Sequence, residues 1–335
     1  MQFEVRRRLR KLQINLYFHS ACTNFNQLMQ FEVRRRLRKL QINLYFHSAC
    51  TNFVPTMKEK FQQTALVLEG GGMRGVFTSG VLDWMIDHDI TFPYLVGVSA
   101  GSSNALSFAA HQRGRGKYVF ADLQVERHYL GLRNIPRHHS IMDMDLLYRE
   151  LPESIWPYDY AAYRANPMRV ESVATDCLTG QAIYLEEKND PARIIDIVKA
   201  SSSLPFVCPI AHVDGHPMLD GGIADSIPLE RAFSQGYKHA IVVLTRHRGY
   251  RKEEKPPHIP AFIYKRYPQL RKALLTRGNR YNEQLAWVER LEDEGRITVI
   301  RPDHPVEVAR IETDLDKMNK LYQHGFEVAE RVLNP

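Results

Sequence analysis

The sequence predicts an α/β protein organised on a mostly parallel sheet with helices on both faces. Three observations carry this reading. From residue 64 onward, strand-like and helix-like segments alternate, which is the pattern that a parallel sheet covered on both sides leaves in a sequence. The stretch 240–245 is a continuous apolar run rich in β-branched residues, as a buried strand requires. A third run, 94–98, passes through Gly97-Val98-Ser99-Ala100-Gly101 into small and helix-forming residues at 102–111, so a serine is expected on a tight strand-to-helix turn.

In chain order, the spacing predicts a first strand at 65–69, a helix at 75–88, a second strand at 94–98 and the helix that follows Ser99. Residues 117–148 read as helical and irregular. Strands are expected at 169–175 and 182–186, a helix at 191–201 and the buried strand at 240–245. A basic, proline-punctuated stretch at 248–268 interrupts the composition. It is followed by a long helix at 270–294, a short strand at 297–301 and a closing helix at 313–333. In that last helix Leu315, Met318, Tyr322, Ala329 and Val332 recur at helical spacing, which assigns them to packing.

The 335 residues are 44% hydrophobic and 25% charged, enough for one large domain or two modest ones. The net charge of +7 is unevenly placed, because residues 1–53 alone hold ten Arg or Lys against two acids, which leaves the remainder close to neutral. A nucleic-acid partner therefore has no support from the body of the protein. Residues 1–25 recur unchanged at 29–53. Solenoid repeats diverge and need three or more units, so 1–56 is read as a duplicated basic leader, disordered or an artefact of duplication, with a targeting or membrane-surface role as its functional alternative. The catalytic core is expected at 57–247, and a basic linker with a mostly helical C-terminal extension at 248–335. Of the four cysteines, Cys22 and Cys50 belong to the repeat, and Cys177 and Cys208 have no metal-ligand spacing. No run approaches eighteen apolar residues. The expected location is cytoplasmic, with a peripheral association at the inner face of the membrane.

The first strand runs into Gly70-Gly71-Gly72-Met73-Arg74-Gly75. Gly70, Gly72 and Gly75 satisfy a dinucleotide fingerprint, but that fold needs an acid at the end of the second strand, where this chain has Ser99. The competing reading is an oxyanion hole, in which the Gly71 and Gly72 amides point at developing negative charge and Arg74 reinforces the field. A serine hydroxyl also needs a proton acceptor. Asp220-Gly221-Gly222 is the best candidate, preceded by Met218-Leu219 and followed by Ile223; such apolar surroundings would desolvate the carboxylate and raise its basicity.

Together these residues resemble the patatin-like phospholipase family, in its bacterial branch. The family pattern G-G-G-x-[KR]-G, G-x-S-x-G and D-G-[GA] stands here in order at 70–75, 97–101 and 220–222. Ala200-Ser201-Ser202-Ser203-Leu204-Pro205 is similar to its Ala-Ser…Pro block, and Val173-Ala174-Thr175-Asp176 with Thr179-Gly180 resembles the bacterial members. The resemblance covers residues 64–245. It implies a three-layer α/β/α sandwich with a mostly parallel central sheet and a Ser99–Asp220 dyad, with Asp220 as general base and no catalytic histidine. Gly70, Gly71, Gly72 and Arg74 would form the oxyanion hole, with Gly97, Gly101, Gly221 and Gly222 in support. A Ser-Asp-His triad is the rival mechanism, for which His247 is the histidine to test.

The expected activity is a serine acyl hydrolase of lipase or phospholipase A type, acting on lipid or ester substrates through an acyl-enzyme. No metal or cofactor is called for, since nothing clusters like a ligand set. The alternative is a non-catalytic nucleotide- or lipid-binding regulatory protein on the same fold. Ile155, Trp156, Tyr158, Tyr160 and Tyr163 could line an acyl pocket or form a lid, and could equally pack a surface helix. Residues 246–280 carry eleven basic residues against two acids, and peripheral contact with an anionic membrane is expected there.

Overall fold

Every residue of β1 (Thr64–Leu68) is buried, and the strand lies near the middle of the sheet. The structure, a computed structural model, describes residues 61–334 except 254, 257 and 261; the duplicated leader lies outside the described residues. β1 is followed by a 3-10 turn at Gly72–Arg74 and by α1 (Gly75–Asp87). β2 (Tyr94–Val98) leads into α2 (Ala100–Ala109). After a series of short helical turns, two of them π-helical at Tyr118–Asp122 and Leu146–Ile155, come β3 (Arg169–Asp176), β4 (Ala182–Leu185) and α3 (Pro191–Ser202). The chain continues through β5 (Ala211–Val213), β6 (His216–Asp220), α4 (Leu229–Ser234) and β7 (His239–Val243). It closes with α5 (Pro268–Asp293), β8 (Thr298–Ile300) and α6 (Leu315–Leu333).

The strands form one sheet in the order β5-β6-β3-β2-β1-β7-β8, with β4 paired to β3 off that path. The pairs β3/β2, β2/β1, β1/β7 and β7/β8 are parallel, while β4 and β6 run antiparallel to β3, and β5 antiparallel to β6. Alternate residues of the parallel strands go to opposite faces. Leu66, Leu68, Leu95, Ile241 and Val243 join Val76, Phe77, Leu106, Met318 and Val328 from α1, α2 and α6. Ala65, Val67, Val96, Val98, Val242 and Leu244 join Leu229 from α4 and Tyr281, Leu285 and Val288 from α5. The result is the expected three-layer α/β/α sandwich. The segment read as a C-terminal extension is built into these layers, with β8 in the sheet and α5 and α6 on opposite faces.

Two short strands, β5 and β6, were not expected from the sequence. Their combined eight residues include Pro217 and flank Gly215, and such composition reads as turn. They matter because β6 decides where Asp220 sits. Along β3, residues 169–173 pair with β2, 172–175 with β4 and 174–176 with β6. Since β4 overlaps both other partners, β2 and β6 must share the opposite edge of β3. Val98 faces Val173 and Asp220 faces Ala174, so the antiparallel β6 takes up that edge at the residue where β2 leaves it.

α1 and α6 meet backbone to backbone. A Cβ on Gly80 would lie 2.0 Å from the Tyr322 carbonyl oxygen, and one on Gly325 would lie 2.1 Å from that of Phe77. Beside this contact the Tyr322 hydroxyl donates to Asp83 Oδ2 at 2.8 Å. Alanine would gain up to about 1 kcal/mol in helix propensity over glycine, but the clash is with backbone that no rotamer change relieves, at roughly 1–3 kcal/mol. Gly325→Ala is therefore expected to lower stability, read as a lower urea midpoint; an unchanged or raised midpoint would contradict the close packing.

Candidate active site

Ser99 is placed by the turn between β2 and α2. Its backbone has φ 55° and ψ −120°, a region that residues with a side chain occupy at a cost of about 1–3 kcal/mol. The strain is held by neighbours on every side. A Cβ on Gly97 would come within 2.6 Å of the Gly101 carbonyl oxygen, and one on Gly101 within 2.6 Å of that of Leu68, so only glycine lets the turn close against β1. The Ser99 N–H donates to Ser201 Oγ at 2.9 Å, and that hydroxyl in turn donates a hydrogen bond to the Val173 carbonyl at 2.6 Å. Ser201 thus braces the turn from α3.

The glycine loop after β1 lies directly against this serine. A Cβ on Gly70 would lie 3.1 Å from Ser99 Cβ, and one on Gly71 would lie 2.8 Å from Thr245 Oγ1. Gly72 has φ 59°, and the Met73 N–H donates to the Arg310 carbonyl at 3.1 Å. Among the described residues the Gly71 and Gly72 amides have no hydrogen-bond partner. Glu69, a residue the sequence analysis passed over, anchors the loop from behind. Its buried carboxylate accepts from the Thr245 N–H at 2.6 Å, from the Thr245 hydroxyl at 3.0 Å and from the Tyr281 hydroxyl at 2.7 Å. A lone acid at a strand end has no periodicity to mark it; its three donors come from β7's end and from α5.

Asp220 ends β6 at 2% exposure. Its Oδ1 accepts from the Gly222 N–H at 2.8 Å, while Oδ2 is buried with no partner among the described residues. Gly221 presses on β3, where a Cβ would lie 2.2 Å from the Val173 carbonyl oxygen. Ser99, Asp220, Gly70, Gly71, Gly72, Gly222 and Arg74 all line one cavity of about 450 Å³. A second cavity of about 110 Å³ opens on the other side of Ser99. Its wall is largely apolar, with Met73, Leu106, Phe120, Leu147, Leu151 and Val198. Tyr158 joins that wall, whereas Ile155, Trp156, Tyr160 and Tyr163 of the expected aromatic cluster do not. No histidine lines either cavity among the described residues, His247 included.

The larger cavity is cationic. Arg74, Arg246, Lys252, Arg277 and Arg310 line it. Burial, aggravated by Arg246 and Arg310, pulls the Arg74 guanidinium down to about 10, and Arg277 is lowered to about 10 by burial and by Arg310. Both remain charged at neutral pH. Burial beside Arg277 and Arg310 takes the Lys252 ammonium down to about 6. The basic stretch 246–280 is therefore divided. Arg246, Lys252 and Arg277 turn to the cavity, while Arg248 and Arg251 pair with Glu292, Asp293 and Glu289. Arg271 and Arg280 donate to backbone carbonyls, and Lys255, Lys265, Arg266 and Lys272 are exposed. Among the described residues no group of three His, Cys, Asp or Glu is arranged to hold a metal, and no helix is long and apolar enough to cross a membrane.

Two stability predictions follow from this geometry. Relief of the Ser99 backbone, about 1–3 kcal/mol, exceeds the roughly 0.4–1 kcal/mol that a glycine adds to unfolded-state entropy. Ser99→Gly is thus expected to raise the melting temperature, and a fall would show the turn to be unstrained. For Lys252 the folded pKa lies below the unfolded one, so between about pH 6 and the ordinary lysine value of 10.5 the unfolded chain binds the extra proton and stability rises with pH. Lys252→Met should raise the melting temperature at pH 7.5 and flatten its rise between about pH 7 and 9; an unaltered pH profile would remove Lys252 as the cause.

Comparison with known proteins agrees with this architecture. The chain is 29% identical over 194 residues to the uncharacterized protein YjjU of Escherichia coli, which covers 54% of this chain and 51% of that protein. It is 27% identical over 176 residues to the uncharacterized NTE family protein Rv1063c of Mycobacterium tuberculosis, covering 50% of this chain and 44% of that one. It is 24% identical over 184 residues to a cGAMP-activated phospholipase of Pseudomonas aeruginosa, covering 49% and 53% respectively. The chain spans about half the length of the curated relatives it matches. Residues 267–335 match a domain of unknown function (DUF6363). Residues 66–233, half of the chain and including the glycine loop, the Ser99 turn and Asp220, match the patatin-like phospholipase model, and the chain belongs to that family.

Proposed function

We propose that the protein is a serine acyl hydrolase that cleaves carboxylic esters of lipids through a Ser99–Asp220 dyad. The observation that supports it most is the unpartnered, buried Oδ2 of Asp220 in the cavity that Ser99 and the free Gly71 and Gly72 amides also line. A buried carboxylate oxygen without a donor is costly, and a proton-accepting role toward the Ser99 hydroxyl accounts for it. The apolar cavity on the other side of Ser99 suits an acyl chain. Two phospholipase-related descriptions, that of the family and that of the Pseudomonas relative, favour a lipid ester over a small soluble one.

In this mechanism Ser99 Oγ attacks the ester carbonyl carbon while its proton passes to Asp220 Oδ2. The carbonyl oxygen becomes an oxyanion held by the Gly71 and Gly72 N–H groups and by the positive field of Arg74. Collapse expels the alcohol, which takes the proton from Asp220 and leaves the acyl group on Ser99. Water then attacks the acyl carbonyl and gives its proton to Asp220. The second collapse returns that proton to Ser99 Oγ and releases the fatty acid. Neither histidine nor metal takes part. The reaction needs no partner beyond the lipid, and the buried free thiols of Cys177 and Cys208 suit a reducing cytoplasm, where a peripheral encounter with the inner face of the membrane would deliver substrate.

The test is hydrolysis of a p-nitrophenyl acyl series and of phospholipid vesicles, with fluorophosphonate labelling of the same proteins. Ser99→Ala is expected to abolish labelling and to cut kcat/KM by roughly 10⁴-fold or more, and Asp220→Asn by roughly 10³-fold or more. His247→Ala should stay active. Loss of activity in His247→Ala with retention in Asp220→Asn would replace the dyad by a triad. Absence of both labelling and turnover in the unsubstituted protein would favour a lipid- or nucleotide-binding regulator.

A further inference from the structure

We propose that the cation-lined cavity beside Ser99 seats a phosphate monoester headgroup, so that the enzyme selects acidic over zwitterionic lipid substrates. The substrate arm of this proposal rests on the acyl-hydrolase reading; the binding arm does not. Four arginines, Arg74, Arg246, Arg277 and Arg310, and the basic side chain of Lys252 share the cavity with three carboxylates, Glu69, Asp220 and Glu307, yet among the described residues no carboxylate lies within 4.0 Å of any of the five. Glu69 is committed to Thr245 and Tyr281, and Asp220 Oδ1 to the Gly222 amide. Elsewhere the chain pairs its arginines readily, as Arg231 does with Glu171 at 2.8 Å and Arg248 with Asp293 at 2.8 Å.

Half-buried cations without counter-charges repel one another and cost folding energy. Here the more distant charges of Glu69 and Asp220 offset part of that cost, and three contacts add to that offset. Lys252 Nζ lies 3.4 Å from the Tyr281 ring centroid, the Arg246 guanidinium 4.5 Å from that of Tyr250, and Arg277 Nε donates to the Gly222 carbonyl at 2.6 Å. Among the described residues the Arg74 Nε is buried with no hydrogen-bond partner, in a residue 6% exposed. An anion with several oxygens would satisfy these donors together, and guanidinium forks match phosphate geometry. A choline or ethanolamine headgroup would instead bring a further cation among the four arginines.

The position of Ser99 converts charge into substrate choice. Ser99, Gly72, Leu204 and Arg310 belong to both cavities. An amphiphile with its tail in the apolar cavity and its phosphate among the arginines would thus lay the ester between them on Ser99. Arg246, Lys252, Arg277 and Arg310 all lie beyond residue 233, where the family match ends. The reaction's groups therefore belong to the family region, whereas four of the five basic side chains around the headgroup, three arginines and Lys252, are added by the C-terminal part of the chain.

Calorimetry with three non-hydrolysable ether lipids of one chain length, a 1-O-alkylglycerol 3-phosphate, its phosphate-free parent and its phosphocholine ester, tests this, with inorganic phosphate as a fourth ligand. The alkylglycerol phosphate is expected to bind at least about tenfold more tightly than the other two lipids. Arg277→Gln/Arg310→Gln should remove most of that preference, and the double Lys variant, which keeps the charge, should retain more of it. Among the ester forms, kcat/KM should follow the same order. Equal binding of the three lipids would overturn the proposal, as would a preference untouched by the double Gln variant. Inorganic phosphate binding as tightly as the lipid phosphate would mean a site for the free ion and would also overturn it. Selective binding without turnover of any ester would uphold the headgroup site while removing the hydrolase reading.

Discussion

The structure depends on how closely the turn after β2 approaches the loop after β1. Gly97, Gly101 and Gly70 leave room for the carbonyls of Gly101, Leu68 and Val98 at distances no Cβ could share. This contact forces Ser99 to a positive φ and presents its side chain at the carboxyl edge of the parallel strands. The strain persists because the surroundings over-determine it: Ser201 holds the serine's own amide, and Glu69 fastens the end of β1 to Thr245 and to Tyr281 of α5.

Around that contact the fold sorts chemistry by direction. Toward α1, α2 and the irregular segment lies an apolar cavity; toward β6, α5 and the 306–310 segment lies a polar one lined by four arginines and Lys252. Ser99 stands on the boundary. A hydrolase of amphiphiles needs such a boundary, since tail and headgroup have opposite solvation requirements and the ester lies between them. The proposed dyad fits the same arrangement, because the unpartnered oxygen of Asp220 belongs to the polar side and is screened from bulk water by its burial.

The C-terminal third is integral to this arrangement. β8 extends the sheet beside β7, α5 covers one face and reaches Glu69 through Tyr281, and α6 lies on α1 across the Gly80–Gly325 contact. The Arg310 carbonyl also receives the Met73 amide just after the glycine loop. A segment that matches a domain of unknown function thus shapes both the wall of the polar cavity and the loop that faces Ser99.

By itself the sequence determined the fold class, the parallel core and the identity of the glycine loop, the Ser99 turn and Asp220, because each is a local pattern. A buried strand shows as an apolar run, and a tight turn shows as glycine at fixed offsets. Tertiary structure alone decided what those patterns meet. That Asp220 follows β2 along one edge of β3 depends on β6, a strand too short and too proline-marked to be read in advance. That Glu69 is a latch, that Ser201 braces the Ser99 turn, and that Arg246, Lys252, Arg277 and Arg310 converge on one cavity depend on residues far apart in the chain, 212 positions in the case of Glu69 and Tyr281. The eleven basic residues of 246–280 read as a surface charge because sequence records charge but not direction; the fold turns three of them to the cavity, two to carboxylates and two to backbone carbonyls. Charge, hydrophobic period and glycine spacing are properties of neighbouring residues and are legible in order along the chain. Pairing, burial and the absence of a partner are properties of distant ones, and they exist only once the chain has folded.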